Sequence, residues 1–332
     1  MNAFLTAICL ACVLLARNAM ADAGGFASNA TSAAYLVVDL CGGGRDGRFS
    51  VYGLENKPAA GWTDEYKTGK IVLRRVEIDA SVDGSTNRVD SLLPPRTVYY
   101  IGVFEITQRQ YELVTGERPS AYHGDTRPVE SIAWEDITGD VPPEETNYYA
   151  LKKGKMVKLL TKVEFSPQMT NSFLAVLRER TGLCGFNLPT ERQWDYARKY
   201  GMPGNVLGYD AAGKELSDIR KVACISSNAE KTPWRPDGAH AVVGSYAPNY
   251  LGLYDMIGNV EEWCLDPAGT MRADDMMRVL KGGCWEWDSH HCLTVERYAY
   301  YQSCRPYWGG FRIVLNLGGK EKMLEMKATI LR

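Results

Sequence analysis

The chain has 332 residues, of which 45% are hydrophobic and 23% charged, and its formal net charge is −2 at pH 7. These values are ordinary for a globular protein and exclude a largely disordered chain. The near-neutral charge, without a long run of Lys or Arg, indicates neither a nucleic acid nor an anionic membrane as partner.

An apolar run at the N-terminus, residues 4–15 (FLTAICLACVLL), is followed by Ala-Met-Ala at residues 19–21. This pattern predicts a secretory signal peptide over residues 1–21, and therefore export to the periplasm, the cell surface or the medium. Because the run is too short to span a bilayer as a helix, the mature chain is expected to have no membrane span. The alternative is an uncleaved anchor or a misassigned start.

Removal of residues 1–21 leaves seven cysteines. An odd number in an exported protein predicts at least one thiol that is free or paired with another molecule. These seven include no CxxC pair, so a structural zinc site is not expected, and most could simply be buried free thiols. They are Cys41, Cys184, Cys224, Cys264, Cys284, Cys292 and Cys304.

Residues 22–80 are predicted to be a β-rich N-terminal extension. Its expected strands are residues 35–40, 48–54 and 70–78. Gly42, Gly44 and Gly47 match the GxGxxG pattern of dinucleotide-binding loops. That motif requires a helix next, whereas residues 48–54 (RFSVYGL) alternate like a strand. The glycines therefore indicate a hairpin turn and not a nucleotide site.

Three helices are predicted, each with a capping residue at its start and a Gly at its end. They begin at Thr107, Ser166 and Thr190 and stop at Gly116, Gly182 and Gly201. Residues 139–164 are interpreted as a surface insertion and residues 204–243 as loop. Few helices, short antiparallel strands and much irregular structure predict an α+β fold and disfavour a doubly wound parallel sheet.

Aromatic residues, His and Cys are concentrated in residues 278–314, between two strands bounded by Gly282-Gly283 and Gly309-Gly310. Tyr and Trp offer large contact areas at low entropic cost, which is typical of recognition surfaces. The predicted partner is a protein or peptide. The candidate ligand-binding residues are Trp287, His290, His291, Tyr300, Tyr301, Tyr307 and Trp308. The alternative is that half of the aromatics pack beneath the loops, as expected for Trp285 and Tyr298.

Several blocks of sequence resemble the formylglycine-generating enzyme family, also called sulfatase-modifying factor. They are FEITQRQY (residues 104–111), RPVESIAW (127–134), FNLPTERQWDYAR (186–198), VGSYAPNYLGLYDMIGNVEEW (243–263), RVLKGG (278–283) and GFR (310–312). The resemblance implies a family domain at residues 81–318, followed by a tail at residues 319–332. It also implies a variant C-type-lectin-like fold.

The resemblance implies a calcium site at Asp255, Gly258, Val260 and Glu262. Two carboxylates separated by backbone carbonyls suit calcium, which takes several oxygen ligands in irregular geometry. The alternative is a tight turn in which the two carboxylates accept backbone N–H groups. Residues 228–237, where the family has a second calcium site, are too divergent to carry that site over.

Enzymes of this family oxidise a substrate cysteine to formylglycine with molecular oxygen and Cu(I), a soft ion held by two thiolates. The resemblance places Cys284 where the family has Ser, Trp287 at the first copper cysteine and Cys292 at the second. Glu261 stands where the enzymes usually have Trp. Cys292 and Cys284 are thus candidate catalytic residues only for an altered copper site. A disulfide between two of Cys284, Cys292 and Cys304 is the more ordinary outcome after export.

One thiolate cannot supply the two-sulfur copper site, so the sequence favours a non-catalytic, calcium-stabilised recognition scaffold. The resemblance also implies that some members of this fold are diversified ligand-binding proteins with variable residues in this C-terminal segment. The alternative is a copper-dependent formylglycine-generating oxidoreductase that acts on a sulfatase cysteine.

Overall fold

The computed structural model describes residues 32–42, 47–79, 96–138, 148–152, 155–159, 171–199, 206–231, 238–268, 277–293 and 297–317. The predicted signal peptide and C-terminal tail lie outside these ranges. Within them, five short α-helices, two 3₁₀-helices (Asp64–Lys67 and Ile219–Lys221) and fourteen strands confirm the predicted α+β class, with mostly antiparallel pairing. The lectin-like relationship stays a prediction.

The helices are α1 (Gln108–Thr115), α2 (Trp134–Thr138), α3 (Phe173–Thr181), α4 (Glu191–Lys199) and α5 (Ser289–Leu293). The strands are β1 (Tyr35–Asp39), β2 (Ser50–Leu54), β3 (Lys70–Asp79), β4 (Arg96–Gly102), β5 (Tyr148–Lys152), β6 (Lys155–Leu159), β7 (Phe186–Asn187), β8 (Gly208–Tyr209), β9 (Glu215–Leu216), β10 (Glu261–Pro267), β11 (Met277–Lys281), β12 (Tyr298–Tyr301), β13 (Gly309–Gly310) and β14 (Val314–Asn316). None of the helices in the described ranges is long and apolar enough to cross a bilayer.

The larger sheet has six strands in the order β2-β1-β3-β4-β14-β7, and all its pairs are antiparallel. Alternate side chains of β1 point to opposite faces, so Leu36 and Val38 join one core cluster while Tyr35 and Val37 join another. β1 and β2 pair directly, which confirms the predicted hairpin. The N-terminal strands therefore continue the sheet that β4 and β14 build.

The smaller sheet has the order β12-β11-β10-β13. β10 pairs in parallel with β13, where Glu261 lies opposite Gly309, and antiparallel with β11. This sheet holds together the two glycine-bounded strands and the aromatic residues between them. It therefore fixes the place of the predicted site.

Two helix starts were predicted correctly from capping residues. Thr107 and Gln110 form a reciprocal capping box at α1, and Gly116 follows it with φ of 83°. Thr190 and Gln193 make the equivalent contacts at α4. Each pair satisfies N–H groups that the first helical turn leaves without partners.

The predicted start of the middle helix is wrong. α3 begins at Phe173, because Ser172 has extended backbone and is the N-cap, with its hydroxyl accepting from Ala175 N. Residues 160–170, which include the predicted cap at Ser166, lie outside the described residues. Gly182 ends the helix as predicted, with φ of 71°.

Candidate functional site

Gly282 and Gly283 turn the chain out of β11 and towards α5. Both have positive φ, 103° and 72°, a conformation that favours glycine. A Cβ atom at Gly283 would lie 2.7 Å from the sulfur of Cys292. Asp288 closes the first turn of α5 by accepting from the backbone N–H of His291 at 3.0 Å. The turn and the helix are thereby packed directly on each other.

The ring side chains that follow this turn form a surface, which we call the aromatic surface. Its members are Trp287, His290, His291, Tyr298, Tyr300, Tyr307 and Trp308. The ring centroids of Trp287 lie 4.3 Å from Tyr298, 6.1 Å from His291 and 6.4 Å from Trp308, and those of Tyr300 and Trp308 lie 4.8 Å apart. Most of the predicted ligand-binding residues are therefore brought together.

Two predicted or expected positions lie outside this group, and one member lies at its edge. Tyr301 is 58% exposed, but alternation along β12 directs it to the opposite face from Tyr300. Trp285 is fully buried, as expected, and lies 6.3 Å from the exposed Tyr307. Tyr298 is half-buried against Trp287, so it supports the surface from the side.

The thiols of Cys284 and Cys292 lie beneath the aromatic surface. Both are buried, and the Cys292 thiol donates to the carbonyl oxygen of Cys284 at 3.6 Å. Burial raises the pKa of Cys292 to about 12 and the pKa of Cys284 well above its ordinary value. Both thiols therefore keep their protons at neutral pH, whereas Cu(I) sites use thiolates.

The disulfide predicted among Cys284, Cys292 and Cys304 is absent. All seven cysteines of residues 22–332 lie in the described ranges, and all are free thiols. Cys292 is directed at a backbone carbonyl, and Cys304 lies in the turn after β12, where its N–H donates to Tyr301. The side chain of Cys292 and the backbone of Cys304 are therefore held by different local contacts.

The segment predicted to bind calcium is a tight, buried turn. Asp255 has φ of 57° and accepts from Gly244 N at 2.6 Å, while its other oxygen has no hydrogen-bond partner among the described residues. Burial raises the pKa of Asp255 to about 6. Gly258 is required by close packing, since a Cβ there would lie 2.2 Å from the carbonyl oxygen of Cys224. Val260 N donates to Glu105 Oε1 at 3.2 Å.

The fourth predicted ligand, Glu262, is already neutralised by an internal cation. Arg312 donates to both carboxylate oxygens at 2.6 Å, and Trp194 Nε1 donates to one of them at 2.7 Å. In the described part of the chain, no three His, Cys, Asp or Glu side chains are arranged to hold a metal ion. The donor set therefore does not fit calcium as it stands, and calcium binding stays a prediction.

Glu261 points to the face of β10 opposite to Glu262. It has no exposed surface, and neither carboxyl oxygen has a hydrogen-bond partner among the described residues. Burial alone raises its pKa to about 8. In the sequence, Glu261 was notable only because the family resemblance places it where the enzymes usually have Trp. Two adjacent acidic residues give no sign of which one has an ion-pair partner.

The family of the chain follows from a comparison with known proteins. Residues 95–317 match the model of the sulfatase-modifying factor enzyme 1-like domain, and the chain belongs to this family. The match begins at β4 and ends after β14, so it includes the smaller sheet and the aromatic surface.

Three relatives and one solved structure describe the range of similarity. "Chaperone protein LppX" of Paenibacillus barcinonensis is 31% identical over 208 residues, which cover 56% of this chain and 69% of that protein. "Inactive C-alpha-formylglycine-generating enzyme 2" of Bos taurus is 36% identical and "Formylglycine-generating enzyme" of Streptomyces coelicolor is 31% identical. These matches cover 30% and 32% of this chain, and 33% and 38% of those proteins. The structure of Treponema denticola variable protein 1 superposes with a TM-score of 0.48 at 23% identity, and covers 75% of this chain and 96% of that one.

Proposed function

We propose that this chain is an exported, non-catalytic member of the family that recognises a protein or peptide through the aromatic surface. The observation that carries the proposal is the cluster of partly exposed Trp, Tyr and His rings between two anchored strands. Such side chains supply contact area at low entropic cost. Export is supported by the sequence pattern of residues 1–21.

The copper oxidase is disfavoured by the residues beneath this surface. The family resemblance puts Trp287 at one copper position, and its indole packs against Tyr298 and Trp308. Cys284 and Cys292 are buried and protonated. A two-thiolate site for Cu(I) would need both protons to be lost in an apolar environment, which is costly.

The relatives support a family member without the oxidase reaction. One is named as an inactive enzyme and another as a chaperone, whereas a third is named as a formylglycine-generating enzyme. The chain spans only about a third of the length of the two formylglycine-generating relatives. Calcium is not part of the proposal, because Arg312 already occupies the Glu262 carboxylate.

Peptide selection would test recognition directly. Peptides would be selected from a displayed random library on the immobilised wild-type protein. They are expected to bind the Trp308→Ala variant at least about tenfold more weakly than wild type, because a central aromatic contact is lost. Tyr250→Ala is the matched control, since Tyr250 is 59% exposed and pairs with Tyr209 outside the aromatic surface. Equal binding to wild type and Trp308→Ala, or no selected peptide, would contradict the proposal.

A Cu(I) titration with thiol counting would test the alternative. The expected result is no tight copper site in the native protein. One Cu(I) held by two thiolates, and lost in Cys292→Ala, would instead establish the oxidase type of site.

A further inference from the structure

Three rings of the aromatic surface carry polar atoms that are not used inside the protein. They are the indole N–H groups of Trp287 and Trp308 and the hydroxyl of Tyr300, none of which makes a hydrogen bond to another described residue. All three side chains are half-buried, and their polar atoms are not enclosed, unlike Nε1 of Trp285. These three groups are therefore open to a ligand.

The fold holds these three rings in place. Trp287 packs against two small core clusters, and Tyr300 and Trp308 pack against the largest one. The backbone N–H of Trp287 donates to the carbonyl of Cys284 at 3.0 Å, and the carbonyl of Trp308 accepts from Glu261 N at 2.9 Å. Rings that are fixed before binding lose little freedom when a ligand arrives.

The acidic residues next to these rings along the chain already have donors. The hydroxyl of Tyr307 donates to the carboxylate of Glu286, with its oxygen 2.9 and 3.1 Å from the two carboxylate oxygens. Oδ1 of Asp288 accepts from the backbone N–H of His291 at 3.0 Å and lies 2.9 Å from its Nδ1. What the three rings offer a ligand is therefore apolar faces and hydrogen-bond donors.

We infer that Trp287, Tyr300 and Trp308 bind a proline-rich segment of another protein in the polyproline II conformation. This inference rests on the proposed recognition function and names the class of peptide that the aromatic surface selects. Proline has no backbone N–H, so such a segment presents carbonyl acceptors and apolar rings. Donors then face acceptors, and aromatic faces meet pyrrolidine rings, as in other aromatic-lined grooves for proline-rich peptides.

The spacing of the rings suits such a segment. The ring centroid of Trp308 lies 6.4 Å from that of Trp287 and 4.8 Å from that of Tyr300. The polyproline II helix advances about 3.1 Å per residue, so three or four residues reach across rings at these distances. Because this helix has no internal hydrogen bonds, its carbonyls are free to accept from the rings.

Other peptide chemistries match the three groups less well. The ends of Arg and Lys side chains carry donors and no acceptor, so they would set donors against the ring donors. An ordinary extended peptide carries one N–H for each carbonyl, and an N–H that loses water without gaining an acceptor costs free energy. A proline-rich segment avoids both problems.

Calorimetric titration of the wild-type protein provides the first test. The probes are N-acetyl hexa-L-proline amide and its mirror image, N-acetyl hexa-D-proline amide, which share composition and number of carbonyls. We expect the L peptide to bind and the D peptide, whose helix has the opposite hand, to bind at least about tenfold more weakly. Equal binding of the two peptides, or no binding of the L peptide, would overturn the inference whatever happens to the variants.

A single hydroxyl tests the role of the donors. Tyr300→Phe keeps the ring and removes one donor, so the L peptide should bind about two- to tenfold more weakly. Tyr250→Phe is the matched control, because Tyr250 is exposed and lies outside the aromatic surface, and it should bind like wild type. An unchanged affinity in Tyr300→Phe would contradict the proposed match of donors to carbonyls.

The displayed library separates this inference from the proposed function. Selected peptides that require Trp308 and are enriched in Pro would support both. Selected peptides that require Trp308 but contain no more Pro than the starting library would overturn the inference and leave recognition standing.

Discussion

Glu262 and Arg312 form a two-point ion pair that is fully enclosed by the fold. Nε and Nη2 of Arg312 each lie 2.6 Å from a different oxygen of Glu262, and neither residue is exposed. Arg312 also donates to the carbonyls of Gly102 and Tyr254. One guanidinium thereby joins β10, the end of β4 and the turn that precedes Asp255.

Removal of the cation from this pair should strongly destabilise the protein. Arg312→Met leaves Glu262 buried and without its charge partner, so we expect the free energy of unfolding to fall by about 3–5 kcal/mol. Urea denaturation measures the change. Arg305→Met is the control, because that side chain is 56% exposed and its ion pair with Asp136 should contribute less than about 1 kcal/mol. Equal losses in the two variants would contradict the importance of burial.

The same ion pair predicts that calcium does not stabilise the protein. A site with a dissociation constant near 10 μM would raise the melting temperature by several degrees in ~1 mM calcium. Because Arg312 donates hydrogen bonds to both carboxylate oxygens of Glu262, we expect the melting temperature not to change when calcium or EDTA is added. A calcium-dependent rise that disappears in Glu262→Gln would establish the site predicted from the sequence.

Local signals in the sequence predicted the helix ends well. Thr107 with Gln110, and Gly116 after the helix, act within a few residues of one another, so their geometry follows from sequence order. The β1–β2 hairpin was predictable for the same reason. The start of α3 was not, because Ser166 and Ser172 are both acceptable caps and sequence order alone does not choose between them.

The candidate site was only partly predictable. The aromatic composition of residues 278–314 identified the surface, and the periodicity of β12 places Tyr300 and Tyr301 on opposite faces. The roles of Glu261 and Glu262 depend on Arg312, which is 50 positions from Glu262 along the chain. A partner at that distance is set by sheet pairing, which one sequence does not reveal.

Burial predicts which cysteines react in the native protein. Iodoacetamide at pH 7.5 should label the exposed Cys41 and Cys184 rapidly and Cys304 more slowly, because thiolate access governs alkylation. Cys224, Cys264, Cys284 and Cys292 should remain unmodified until urea is added, and mass spectrometry of peptides gives the extent at each site. Rapid native labelling of Cys292, or its loss to a disulfide, would contradict the buried thiol described here.

Glu261 should make the protein less stable as the pH rises. The ordinary pKa of a Glu carboxyl is 4.5, and burial raises it to about 8 in the folded protein. The folded state therefore holds the proton more tightly than the unfolded state. The stabilisation that this bound proton gives the folded state is complete below pH 4.5. As the pH rises to 8 it is lost, and the free energy of unfolding falls by about 1.4 kcal/mol per pH unit.

The measurement compares wild type with Glu261→Gln by urea denaturation from pH 5 to 8.5. The variant cannot ionise at this position, so its advantage over wild type should grow with pH and become constant above pH 8. Burial also raises the pKa values of Asp255 and Asp266 to about 6, but these groups are present in both proteins and cancel in the difference. Asp288→Asn, at an exposed carboxylate, serves as the control. A difference that does not change with pH would show that Glu261 is not held as a neutral acid in the folded protein.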